Sequence, residues 1–441
     1  MARAPRPVEQ IAARGASSPA SLVLDKGGPR DDEPSVHEPD AALSRILRVL
    51  ADVAPLPPER VSLREAPGRA LAEDVVASRP LPPFDSSQMD GYALRASAAP
   101  RPGARLRVAF DVFAGQPAPP PLPEGSCCRI FTGAAIPPGA DAVEMQEEVT
   151  RRGSVALFRR AVARGRFVRA AGSDVPAGSA ALARGTALDP GAIGLAAALG
   201  RSELSVFRRP RVGLLATGDE IAAIDRAPAA ARIVDSNSHA LAAAAAEAGA
   251  IPTLLPIARD DLASLRGALA GAADFDVLVT IGGVSVGARD LVRRALQEAG
   301  AALHFWRVAI RPGKPIAFGR LGRTAVFGLP GNPASALVTF ELFVRPALRS
   351  LAGLGGRGRP LVTARLDGEV AKPAGLTQYL RARARVRRGV LVVEPLATQT
   401  SGDLRSVTGF QALVVLPGPT TRVRRGEPVQ ALLVGTPDED E

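Results

Sequence analysis

Between residues 207 and 350 the chain repeats one unit, an apolar run, a tight turn and a helical pattern. That repetition limits the fold more than any other feature. RVGLLAT, TLLPIA, DVLVTIGG and TAVFGLP read as strands, and SHALAAAAAEAG, DLASLRGALAGA, ARDLVRRALQEAG and PASALVTFELFVRPAL read as helices that follow most of them. Strand, turn and helix in alternation predict a parallel sheet with helices on both faces. In such a sheet, ligands bind in the crevice at the carboxyl ends of the strands.

The rest of the chain is organised differently. At 441 residues it exceeds the roughly 250–300 at which single cores stop growing, so several domains are expected. Residues 1–39, rich in Pro, Arg, Ala, Gly and Asp and without apolar periodicity, read as a disordered extension. Ala41–Val53 has helical spacing, with Leu43, Ile46, Leu47 and Leu50 on one face. A second helix is expected in LDPGAIGLAAALG, with Asp189 as N-cap and Pro190 in the first turn. These two helices are expected to pack together, so that 40–60 and 173–206 form a helical linker domain. Residues 61–172, broken into short alternating runs by Pro and Gly, then read as an inserted β-rich domain. An α/β domain over 207–352 is followed by a Gly-rich linker and a small C-terminal β-barrel or sandwich over 358–436.

Composition narrows the function. The charge is 55 − 44 = +11, which attracts anions, yet no dense basic run appears. With 4% aromatic residues there is little to build a base-stacking platform, so nucleic acid is not expected as a partner. Cys127 and Cys128 are adjacent and cannot form an ordinary staple, and His37, His239 and His304 are scattered, so no Cys or His metal centre is expected. No run approaches the roughly 18 apolar residues of a spanning helix, and the N-terminus lacks a signal-type apolar core. A cytoplasmic address and no membrane partner are the expectation. The cations are nearly all arginine; lysine occurs only at 26, 314 and 372. Lys314 therefore invites a chemical explanation, because an ammonium and a guanidinium hold an oxyanion differently.

Chemistry-bearing residues collect where the predicted strands end. LLATGDEI supplies Glu220, and IGGVSVGARDLV supplies Gly282, Gly283, Ser285 and Asp290. The second of these exposes backbone N–H groups at a helix start, although each loop alone also suits a plain capped helix. IRPGKP sets Arg311 and Lys314 three residues apart on a stiff turn, where an oxyanion would relieve their repulsion. GLPGNPAS offers Asn332 as N-cap and Ser335 in the first turn, a second anion site on the same logic. From the sheet topology Glu220, Asp235, Asp260 and Asp290 are expected to converge near these cations. Carboxylates beside a phosphate binder imply a divalent ion, commonly magnesium.

The runs PPFDSSQMDGYAL, RIFTGAAIPPGADAVEMQEEV, LLATGDEI, IVDSNSHAL, TIGGVSVGARDLV, IRPGKP and GLPGNPAS occur in this order. Over roughly residues 40–435 the chain resembles the molybdopterin molybdenumtransferase (MoeA) family, which includes the C-terminal domain of gephyrin. The resemblance implies a dimer with four domains per chain, its site in the cleft between the α/β and C-terminal β domains, with the partner's inserted domain contributing. It implies adenylylated molybdopterin and molybdate as substrates, molybdenum cofactor and AMP as products, and Mg2+ as cofactor. Asp90, Thr132 and Asp174 match activity-linked positions; Glu220, Asp260 and Asp290 match acids near the pterin phosphate and metal. Asp235, Asn237, Gly282, Gly283, Ser285, Asn332 and the molybdate-site matches Arg311, Lys314, Pro315, Ser335, Arg381 and Ser401 are the expected substrate contacts, with Ser406 an equal alternative to Ser401. The pathway's adenylyltransferase and apo molybdoenzymes are the protein partners it suggests. Departures are Arg311 for a usual lysine, Ser86 and Gln88 for Asn and Ala, and Ser173 for Glu. A tungstate-selective relative, an adenylyltransferase and a non-catalytic scaffold are the alternatives.

Overall fold

A computed structural model describes residues 36–225, 231–283 and 291–440. The readings at Ser285 and Asp290 lie outside the described residues. Of the extension expected over 1–39, the last residues are ordered: His37 bridges Val308, and the first helix spans Pro39–Leu50.

The α/β region holds a six-stranded sheet in the order Ile251–Leu254, Arg211–Ala216, Val277–Ile281, Thr324–Leu329, Pro315–Leu321, Ala302–Arg307. The first four strands, those expected, run parallel. The last two run antiparallel and were not foreseen. ALHFWR and PIAFGRL have no helix between them, so the chain reverses instead of crossing over. The central strands are apolar throughout because both faces are covered. Val277, Val279 and Ile281 pack with Leu241 and Phe343 in one cluster, and Leu278 packs with Leu265, Val292 and Leu296 in another.

The inserted region forms its own six-stranded sheet between Gly91 and Phe158. After residue 360, five strands close on themselves: Thr377–Arg387, Val390–Pro395, Leu361–Leu366, Pro428–Leu433 and Ala412–Leu416, the last pairing again with the first. The C-terminal region is thus a closed barrel, filled by small and branched residues such as Leu380, Ala382, Val393 and Ala431.

One packing expectation is overturned. Ile46 and Leu50 of the first helix join the α/β core beside Leu348 and Leu351. The helix Pro190–Ala198, capped by Asp189 through Ala192 N, instead packs Ala192 and Ala196 among Leu71, Leu188 and Leu204. The segments meet through strands, Pro58–Ser62 pairing antiparallel with Glu203–Phe207. The first helix carries an apolar stripe that only a large core can cover, whereas the second is short and rich in alanine and suits a shallow one.

Charge is buried where it is paired. Arg345 donates from Nε and Nη2 to the two oxygens of Glu341 at 2.6 and 2.9 Å, and Arg359 Nε donates to Glu341 at 2.8 Å. Both Arg345 and Glu341 are more than nine-tenths buried. Arg359 also reaches Glu247, so the network ties the linker after the α/β region to two of its helices. Glu341→Ala leaves these guanidiniums without their central anion and is expected to cost about 3–5 kcal/mol, read from the urea unfolding midpoint.

Candidate functional site

The antiparallel reversal creates the site. Between its two strands, Ile310–Arg311 leaves the α/β sheet and pairs in parallel with the barrel strand at Thr377 and Gln378. The chain turns back through Pro312, Gly313 and Lys314, with Val308 N donating to Lys314 O at 3.1 Å. Gly313 has φ +100°, and a Cβ there would sit 2.4 Å from Thr339 Cγ2, so only glycine seats the turn on the helix Pro333–Thr339. Arg311 and Lys314 stay exposed beside a cavity of about 440 Å³. Pro315, Ser335, Gln378 and the Thr400–Ser401 loop complete its walls.

Asn332 holds the N-cap position, yet its side chain does not cap: Nδ2 donates to Ser401 Oγ at 3.0 Å, and Ala334 N donates to Ser401 O at 3.0 Å. The helix start expected to be an open anion site is thus partly occupied by the chain itself. Between Ser401 and Ser406, only Ser401 lines the cavity. Ser406 is buried, its hydroxyl donating to Asp403 O at 2.6 Å within its own turn.

Arg381 is the unusual member. Its side chain is fully buried, at 0% exposure, and its neighbours Leu380, Gln399 and Thr400 line the cavity. Nη2 donates to Thr400 O at 3.2 Å and Thr398 O at 3.5 Å, but Nε and Nη1 find no partner. Among the described residues no carboxylate forms an ion pair with it; burial pulls its pKa down, and the Asp403 charge opposes that only in part. Gln399 clasps the Arg381 backbone from both sides, accepting from N at 3.1 Å and donating to O at 2.9 Å. A buried guanidinium with free N–H groups and no ion-paired acid is suited to an oxyanion. Gln399, Thr400 and Thr339 were not foreseen, since nothing in their spacing distinguishes them from ordinary loop and helix residues.

Of the expected acids, the described ones, Glu220, Asp235 and Asp260, do not line that cavity. Thr217 bridges Ala258, so the loops bearing Glu220 and Asp260 leave the sheet side by side, and both residues are exposed. No group of three His, Cys, Asp or Glu side chains forms a metal cluster among the described residues. Asp235 caps the helix Asn237–Glu247 through Ser238 N at 3.0 Å, which gives it a structural task. Asn237 Nδ2 donates to Gly331 O at 2.6 Å and fastens the loop before Asn332. Gly282 and Gly283 have φ +89° and +67°, and a Cβ at Gly283 would lie 2.4 Å from Val292, so this strand end tolerates no side chain.

On the inserted sheet, Asp90 Oδ1 accepts from Thr132 N and Oγ1, each at 2.8 Å. Those hydrogen bonds hold its carboxyl below the usual range. Asp174 pairs with Arg169. No residue of 61–206 lines the 440 Å³ cavity, so within one chain these three are not brought to Arg311 and Lys314.

An α/β domain and a closed barrel that share an arginine- and lysine-lined cavity define a multidomain protein with a basic cleft between two of its domains. Comparison with known proteins agrees region by region. Residues 37–200 match the MoeA N-terminal region (domain I and II), 213–350 the "probable molybdopterin binding domain", and 363–434 the MoeA C-terminal region (domain IV). Molybdopterin molybdenumtransferase 2 of Mycobacterium tuberculosis is 37% identical over 408 residues, covering 90% of this chain and 98% of that one. The Bacillus subtilis molybdopterin molybdenumtransferase is 34% identical, covering 85% and 90%. The crystal structure of the molybdopterin biosynthesis MoeA protein from Pyrococcus horikoshii superposes with a TM-score of 0.77 at 30% identity, over 90% of this chain and all of that one. The chain belongs to the molybdopterin molybdenumtransferase (MoeA) family.

The unpaired Arg381 has a measurable consequence. Arg381→Met removes a buried charge that lacks a counter-ion, so in anion-free buffer the variant is expected to be at least as stable as the wild type, by up to about 1–4 kcal/mol. It should lose the rise in Tm that a tetrahedral oxyanion such as molybdate gives the wild type. Calorimetry with and without the anion reads both.

Proposed function

We propose that this protein inserts molybdenum into adenylylated molybdopterin, giving molybdenum cofactor and AMP. The unpaired guanidinium of Arg381 beside the Arg311–Lys314 turn carries this reading, because it describes a receptor for a small dianion. Molybdate and the substrate's phosphates repel each other, and Arg311, Lys314 and Arg381 offset that repulsion. Ser335 and Ser401 supply hydroxyl donors to oxo groups. Holding both anions in one cavity makes their encounter local, an effect that reaches roughly 7–11 kcal/mol in well-oriented systems.

Glu220 and Asp260, exposed on adjacent loops, and Asp290 fit magnesium, which takes oxygen donors and commonly uses one or two carboxylates with substrate phosphates. When bound, the ion polarises phosphate oxygens of the adenylate. Gly282 and Gly283, at the end of the strand Val277–Ile281, offer backbone donors to the same substrate end.

Asp90, Thr132 and Asp174 lie outside the cavity of their own chain, which supports a homodimer in which the partner's inserted domain completes the site. A cytoplasmic address, with the adenylyltransferase and apo molybdoenzymes as upstream and downstream partners, follows from that chemistry. No described helix is long and apolar enough to cross a membrane. A scaffold role is disfavoured by a buried cation that scaffolding does not need.

Incubation with adenylylated molybdopterin, magnesium and molybdate or tungstate, scored by AMP release and reconstitution of an apo molybdoenzyme, tests the assignment. No AMP release overturns it. Lys314→Ala is expected to raise the molybdate concentration for half-maximal turnover at least tenfold while changing pterin affinity far less; equal loss of both contradicts an oxyanion role. Asp290→Ala should keep wild-type unfolding behaviour yet release no AMP.

A further inference from the structure

Two phenylalanines of the inserted sheet lie at the surface of a chain in which only 4% of residues are aromatic. The parallel strands Arg105–Val112 and Ser126–Ile130 are in register at Val112 and Ile130, so Phe113 and Phe131 leave the sheet side by side. Their rings stack with centroids 4.7 Å apart and planes 12° apart. The Arg129 guanidinium lies 4.8 Å from the Phe131 centroid. Phe113 is 45% exposed.

Thr132 follows Phe131 directly, and its N–H and hydroxyl fix Asp90 Oδ1. Among the described residues no hydrogen bond or ion pair forms at Asp90 Oδ2, and after the Thr132 bonds the Arg129 charge also favours the ionised carboxylate. Phe113, the exposed ring of the pair, and an oriented carboxylate with one oxygen free of hydrogen bonds therefore flank the Phe131–Thr132 step.

The geometry points to a platform for a fused 2-amino-4-oxopyrimidine ring, the pterin end of the substrate, stacked on Phe113 with its ring N–H and exocyclic amine donating to Asp90. Flat heteroaromatic rings stack on exposed aromatic side chains. The pterin edge presents two adjacent donors, which the two lone pairs of Asp90 Oδ2 can accept together while Oδ1 stays on Thr132. Adenine sets its amine beside a ring acceptor, which a carboxylate repels. This rests on the reading of a pterin substrate, and it places the ring on the inserted domain, away from the oxyanion cavity of the same chain.

The test titrates the full-length protein with neopterin, followed by pterin fluorescence, with AMP as competitor. Neopterin is expected to bind saturably and AMP not to displace it. Phe113→Ala and Asp90→Asn should each raise the neopterin Kd roughly tenfold (about 1.4 kcal/mol), while Phe113→Trp keeps the affinity. All three should retain the molybdate-dependent rise in Tm, which reports an intact fold. Unchanged neopterin affinity in Phe113→Ala and Asp90→Asn overturns the platform. Dissociation of a dimer by Phe113→Ala at unchanged neopterin affinity overturns it in favour of contact with a second copy. Displacement by AMP overturns the carboxylate-edge match. Wild-type AMP release separates the two readings: its absence with neopterin binding intact sinks the transferase assignment alone, and its presence without any Phe113 dependence of neopterin binding sinks the platform alone.

Discussion

The backbone pairing of Ile310 and Arg311 with Thr377 and Gln378 is the interaction on which the site depends. It takes two residues out of one domain's sheet and makes them an edge of another domain's barrel. A turn tethered at both ends cannot drift, and Gly313 pressed against Thr339 fixes its height above the helix. Two cations that repel each other are thereby held on one wall, facing the loop that dresses Arg381. Were the reversal an ordinary hairpin, Arg311 and Lys314 would point into solvent with nothing opposite them.

Buried charge is handled in two ways within the same chain. Glu341, Arg345 and Arg359 satisfy one another fully, as a structural network must. Arg381 is buried just as deeply and is given only carbonyl oxygens on one nitrogen. An interior that elsewhere pairs its ions has left this one incomplete beside a cavity. The contrast, more than the presence of an arginine, marks it as a receptor for a charge supplied from outside. Lys372, only half-buried, is held differently: its ammonium donates to the carbonyls of Pro373, Leu376 and Gly418, a compact three-donor geometry that a planar guanidinium does not reproduce. In a chain that otherwise uses arginine, that geometry gives a structural reason for a lysine.

Much of the architecture was legible because its signals are local. Four parallel strands and their helices announce themselves by apolar runs and turn residues, and Asp189 with Pro190 marks a helix start that forms as read. What escaped depended on distant partners. The two antiparallel strands look like any short apolar run. The destination of the helix Pro39–Leu50 is set by which core has room for Ile46 and Leu50. Asn332 reads as a cap by residue type, but a serine 69 positions away competes for its amide.

By itself the sequence determined the classes of secondary structure, the family through ordered motifs, and the pair of cations on a stiff turn, because each is written in neighbouring residues. Only the tertiary structure decided that Arg381 is buried without an ion-paired acid, that Ser401 and not Ser406 faces the cavity, and that Asp90 and Thr132 stand apart from Lys314 within one chain. Those facts depend on which segments share space after folding. Burial and the lack of a partner are properties of surroundings, and no residue carries its surroundings in its own letter.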